Sequence, residues 1–200
     1  MLTVNTIDEL EALYDQAVPT SLEKVVDHLT PLYRQWIEAS RFVILSTVGP
    51  EGTDASPRGD SGTVVTIHDR NTLLLPDWRG NNRIDSLRNI VRDGRVSLMF
   101  MVPGCENVVR VNGTAVLTTE PQVLAQFEKQ QRLPKSVIAV ALVEAYFQCA
   151  KALMRSSLWT SGDESDQVPT AGAFIKEFRD GFDGDTYDND YSERARKIMW

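Results

Sequence analysis

Histidine and cysteine are scarce in this chain, with two of each among 200 residues. Cys105 and Cys149 show no CxxC spacing and no neighbouring histidine pair, and His28 and His68 stand far apart. This pattern argues against a disulfide framework, a zinc site or any metalloenzyme. The expectation is no bound metal. Long apolar runs are missing too, since none approaches the roughly 20 residues of a membrane span. The first residues, Met1 to Asn5, lack the basic and apolar regions of a signal peptide, so the expected location is cytoplasmic, with no membrane partner. Lysine is absent from residues 25–128, where ten arginines stand. No basic face interleaved with aromatic residues appears, which disfavours nucleic acid as a partner. The arginine bias fits an anion site, because a guanidinium binds carboxylate or phosphate in bidentate fashion, but codon usage can produce the same bias.

The net charge of −7 is unevenly placed, because residues 160–200 hold ten Asp/Glu against five Lys/Arg. Within that tail Asp183–Asp190 is polar enough to read as a mobile loop. It makes a poor calcium site, with its glycine misplaced and no glutamate closing it.

The hydrophobic content of 42% suffices for one substantial core. Apolar spacing predicts a helix from Ile7 to Tyr14 and a second, longer one starting at Thr20 and running through Val26, Leu29, Tyr33, Trp36 and Ile37. Strand patterns follow: Arg41–Thr47 and Ala55–Gly59 around a Gly/Pro turn, then Val64–His68 and Thr72–Leu75, then Val96–Val102 and Val108–Leu117, and last Val137–Phe147, whose β-branched start favours a strand while Ala139, Ala141 and Ala145 leave a helix open. Short helices are expected from Ile84 and from Pro121. The fold class is therefore mainly β with flanking helices (α+β), six or seven strands in antiparallel hairpins. Closure into a small barrel would remove the sheet edges. The expected organisation is a helical extension over 1–40, a barrel domain over 41–160, and an acidic helical tail over 161–200 packed on the same domain.

One segment points to chemistry. Arg79-Gly80-Asn81-Asn82-Arg83 lies between the strand ending at Pro76 and the helix beginning near Ile84. Two guanidiniums, side-chain amides and the unpaired N–H groups of a starting helix can converge there on one dianion, which favours a phosphorylated ligand. The competing reading is a tight turn that merely caps the helix, with both arginines solvated.

Phe42–Thr47, Gly49 to Gly52, Ser56-Pro57-Arg58-Gly59, the Arg79 to Arg83 turn with Ile84–Leu87, and Arg110-Val111-Asn112-Gly113 occur in an order that resembles the pyridoxamine 5′-phosphate oxidase-like, FMN-binding split-barrel family. The resemblance spans roughly residues 40 to 160. It is similar in particular to a subgroup of FMN-dependent enzymes whose late segment reads close to Tyr146–Ala152 and Arg155–Trp159. A histidine often precedes the cysteine in that subgroup, and Gln148 stands there in this chain.

The resemblance implies an antiparallel split β-barrel, a homodimer, and FMN in each of two clefts at the subunit interface. Matched by position, Arg58 opens the flavin-contacting strand, Arg79, Asn81, Asn82 and Arg83 form the phosphate turn, and Arg110 and Asn112 lie on a later strand beside the site. Either of the last two can instead be a sheet-surface residue. Ser56 is added as a polar neighbour of Arg58, or else as a residue satisfying a backbone group. Arg155 and Trp159 resemble contacts delivered from the partner chain, although Trp159 also fits an ordinary helix core.

A flavin carries the electron chemistry itself, so no acid/base pair need be visible. The implied function is an FMN-dependent oxidoreductase acting on an unidentified small molecule. Alternatives are a flavin carrier without turnover, or a split barrel that binds haem or a deazaflavin. The tail is acidic where the true oxidase ends in a basic segment, so vitamin B6 synthesis is not assigned.

Overall fold

Two-residue alternation decides the sheet. In β1 (Phe42–Gly49) Val43, Leu45 and Thr47 are buried while the residues between them keep some exposure. β5 (Arg95–Met101) repeats the pattern with Val96, Leu98 and Phe100, as expected for strands with one face on a core. The computed structural model describes residues 1–200. Its seven strands form one antiparallel sheet in the order β2-β1-β5-β6-β7-β4-β3. Here β2 is Gly52–Gly59, β3 Thr66–Ile67, β4 Thr72–Asp77, β6 Val108–Thr118 and β7 Ser136–Gln148. The sheet curls without closing, as a split barrel does, and β2 and β3 remain its edges.

Opposed pairs fix the core face. Leu45 lies across from Leu98, and Leu98 from Val111. All three are fully buried, with Phe100, Ile138 and Val140 beside them. At the β6–β7 pairing a bulge falls between Asn112 and Gly113. A Cβ at Gly113 would lie 2.1 Å from the Ala141 carbonyl oxygen, so only glycine fits.

The helices depart from expectation in three places. The long helix from Thr20 to Ile37 is instead α2 (Pro19–Glu23) and α3 (Pro31–Ala39). Pro31 explains the break, since its ring cannot sit inside a helix but suits the first turn. Thr30 caps α3, and Val26 pairs with Ala145 of β7. Ile37 then buries completely. The first helix, α1 (Ile7–Glu11), is shorter than its periodicity suggested and buries no residue. Residues 183–190 form no loop: Asp183 caps α8 (Gly184–Ile198) by accepting from the Thr186 N–H. Asp183 and Asp185 sit at the helix start, where the macrodipole favours them.

The Val64–His68 strand shrinks to Thr66–Ile67. Val64 and Val65 are buried without strand pairing. The remaining helices are α4 (Asp85–Arg92), α5 (Pro121–Leu124), α6 (Lys151–Ser156) and α7 (Ala171–Phe178). No helix is long and apolar enough to cross a membrane.

Candidate functional site

Where the sheet fails to close, edge strand β2 faces the end of β4 across a cleft of about 1360 Å³. Its walls are residues 54–61 of β2 and beyond, residues 75–87 running from β4 into α4, Lys135 and Ser136 before β7, and Met199 and Trp200. Pairing explains why β2 serves it. Asp54, Ser56 and Arg58 lie opposite Thr47, Leu45 and Val43, on the core face of the sheet. At an edge strand that face runs past the packed core into the gap.

One ion pair crosses the gap. Arg58 Nη1 donates to Asp77 Oδ1 at 2.5 Å, with both side chains largely buried. Its Nε is buried and has no partner. A buried donor left unmade is costly, so this one is poised for a ligand oxygen.

The turn after β4 is conformationally strained. Asn82 and Ile84 both hold left-handed backbone, at φ 61° and 51°. Asparagine tolerates this, whereas a β-branched isoleucine does so at a cost of about 1–2 kcal/mol. The turn keeps its shape through Asn81, whose Oδ1 accepts from the Arg83 N–H at 3.0 Å. Arg83 itself is held by Asp85, Nε to Oδ2, at 2.5 Å. Arg79 has no hydrogen-bonding or carboxylate partner and lines the cleft. Lys135 reaches the same turn, donating to Asn82 Oδ1 at 3.3 Å. Two cations therefore stand free of carboxylates on the wall where the sequence places a phosphate grip.

The cleft brings together Ser56, Arg58, Arg79, Asn81, Asn82 and Arg83. It does not gather the other four expected residues. Arg110 and Asn112 lie opposite Met99 and Ser97 on the outer face of the sheet, where Arg110 rests over Tyr146 and Asn112 bonds Glu144 at 2.7 Å. Trp159 follows α6 and donates from Nε1 to the Cys105 carbonyl at 2.8 Å, and Arg155 is exposed. Neither lines the cleft. Both histidines are also outside it, and His28 is engaged by Asp27 at 2.7 Å.

Several cleft residues escape a reading of the sequence. Lys135 lies over fifty residues from the turn it joins, and no local pattern marks it. Trp78 adjoins Arg79, a signal that was available. Asp60 is the least visible: its carboxylate accepts from Lys129, from Trp78 Nε1 at 3.2 Å and from the Gly62 N–H at 3.3 Å. Burial pushes its pKa up, but the Lys129, Gly62 and Trp78 contacts together outweigh burial and hold it below the ordinary aspartate value.

A gap in a seven-stranded antiparallel sheet, with a turn carrying Arg79 and Arg83 on one wall, defines a split-barrel protein with an open cleft. The chain belongs to the pyridoxamine 5′-phosphate oxidase family, whose model matches residues 29–149. Among solved structures, a HupZ variant from Group A Streptococcus superposes with a TM-score of 0.50 at 18% identity, covering 60% of this chain and 98% of its own. An FMN-binding protein from Syntrophomonas wolfei gives 0.42 at 13%, covering 58% and 88%. An F420 reductase gives 0.42 at 15%, covering 60% and 98%. At such identities the likeness concerns the fold alone. No curated protein matches significantly.

Proposed function

We propose that the cleft binds FMN and that the protein is an FMN-dependent oxidoreductase acting on a small molecule, working as a cytoplasmic homodimer in which two protomers complete each site. The observation that carries this reading is Arg79, a guanidinium free of any carboxylate on the cleft wall, with Lys135 on the adjoining turn. The donor set suits a phosphate monoester, which needs several N–H groups and net positive charge. Arg58, oriented by Asp77, offers its unpartnered Nε to a second ligand oxygen.

Bound FMN would supply the redox chemistry. The chain's own residues bind and orient it: the turn of residues 79–83 grips the phosphate, and β2 presents Ser56 and Arg58 along one wall. Arg110, Asn112, Arg155 and Trp159 face away from this cleft, so in a dimer they serve the partner's site or the seam. A haem in this cleft would take no imidazole ligand from the same protomer, since neither His28 nor His68 lines it.

The test is an absorbance spectrum of freshly purified protein, followed by FMN titration. Flavin bands are expected, and replacing both Arg79 and Arg83 by alanine should cost at least a hundredfold in FMN affinity while the circular dichroism spectrum stays unchanged. Wild-type retention in that double variant refutes the phosphate assignment. Anaerobic mixing with NADH or NADPH then separates an enzyme from a carrier.

A further inference from the structure

Tail residues 160–200 carry two helices, yet Arg132 alone joins them to the barrel by hydrogen bonds, donating to the carbonyls of Trp200 at 2.6 Å and Lys197 at 3.4 Å. That foothold lies at the cleft. Trp200 meets Trp78 edge to face, with ring centroids 5.4 Å apart and planes at 79°. The Lys129 ammonium sits 4.4 Å from the Trp200 ring centre and is fixed there by the buried Asp60 carboxylate. Trp200 remains half-buried and lines the cleft along with Trp78. The indole is positioned by the Lys129 ammonium and the perpendicular Trp78 ring, since edge-to-face and cation–π contacts both restrict ring orientation, and Arg132 ties down the backbone that carries it.

We infer that Trp200, held by Lys129 and Arg132 and backed by Trp78, is the wall of the cleft that receives the planar aromatic ring of the bound molecule. The tail thus builds the ring subsite while the turn of residues 79–83 builds the phosphate subsite. This deepens the FMN reading and rests on it. The tail lies beyond residue 149, where the family match ends. Trp200 therefore comes from outside the stretch that the family model matches, while Trp78, Lys129 and Arg132 lie within it.

The two subsites separate by choice of probe. Lumichrome carries the tricyclic ring without the ribityl phosphate, and FMN carries both. In full-length protein, Trp200→Ala should weaken lumichrome and FMN by the same factor, about tenfold. Trp200→Phe should recover most of that loss. Arg132→Gln keeps the indole but removes the tie on its backbone, so the ring is held less firmly and both probes should weaken about threefold. Arg79→Ala should weaken FMN and leave lumichrome unchanged. Unaltered lumichrome affinity in a folded Trp200→Ala protein overturns the inference, as does an FMN loss with no lumichrome loss. If Trp200→Ala weakens lumichrome while Arg79→Ala spares FMN, the ring wall stands and the phosphate assignment is the part that fails.

Discussion

The sheet and the tail solve the same problem with different resources. Every strand of the sheet finds a registered partner, and its core residues bury completely on contacts distant in sequence. The tail helices α7 and α8 bury only Gly172 and Gly184, while Phe174, Phe178, Tyr191 and Ile198 stay exposed. Burial of apolar surface is the main stabilising term, at about 25 cal/mol per Å². The sheet therefore carries nearly all of the buried apolar core, and the tail rests on its own helix–helix contact and on the Arg132 and Lys129 foothold. What the difference teaches is a division of labour: the well-packed part carries the Arg79–Arg83 turn on one side of the cleft, and the sparsely anchored part brings Trp200 to another.

Two glycines give the sharpest way to break that comparison. A Cβ at Gly113 would meet the Ala141 carbonyl oxygen at 2.1 Å inside the longest strand pairing. Gly113→Ala should therefore cost about 3 kcal/mol of global stability, read as a drop in urea midpoint. A Cβ at Gly172 would meet the Gly184 carbonyl oxygen at 2.3 Å, a clash of similar severity but within the α7–α8 contact. Gly172→Ala should reduce the far-ultraviolet helix signal and leave the barrel's own unfolding midpoint where it was. Equal midpoint shifts in the two variants would make the tail an integral part of the cooperative unit.

This contrast also governs how much the sequence discloses. Period-two alternation in Phe42–Gly49 and Arg95–Met101 marks strands directly, because a one-residue slip would turn Leu45 or Leu98 to solvent. The turn of residues 79–83 on the cleft wall is legible for a similar reason, its Arg-Gly-Asn-Asn-Arg run being local. What the sequence hides is set by distance. Nothing near Lys135 says that it reaches Asn82, and nothing near Trp200 says that it meets Trp78. The break at Pro31 was legible in principle, since proline excludes a continuous helix there, but the apolar period running across it dominates the pattern. The helix over Asp183–Asp190 was obscured by composition: aspartates that disfavour helix interiors are acceptable at a capped start, where Asp183 and Asp185 sit.

The smallest expected effect concerns acid. Asp60 carries a carboxyl held below its ordinary value by Lys129, the Gly62 N–H and Trp78 against the opposing effect of burial. A depressed folded value means that the stabilisation is present above the unfolded carboxyl's range, about pH 3.9, and is lost as pH falls through the folded value. Protonation releases Lys129, and with it the ammonium that sits over Trp200. The tail should loosen below that range before the sheet does, because the sheet's core contains no titrating group. Tryptophan emission against pH should show a first step in acid that precedes the loss of the far-ultraviolet strand signal. Asp60→Asn, which cannot titrate, should abolish that step and give at neutral pH the emission that the wild type reaches only in acid. A single transition shared by both signals, or a first step that survives in Asp60→Asn, would show that Trp200 takes its place from the barrel as a whole and not from the Asp60–Lys129 pair.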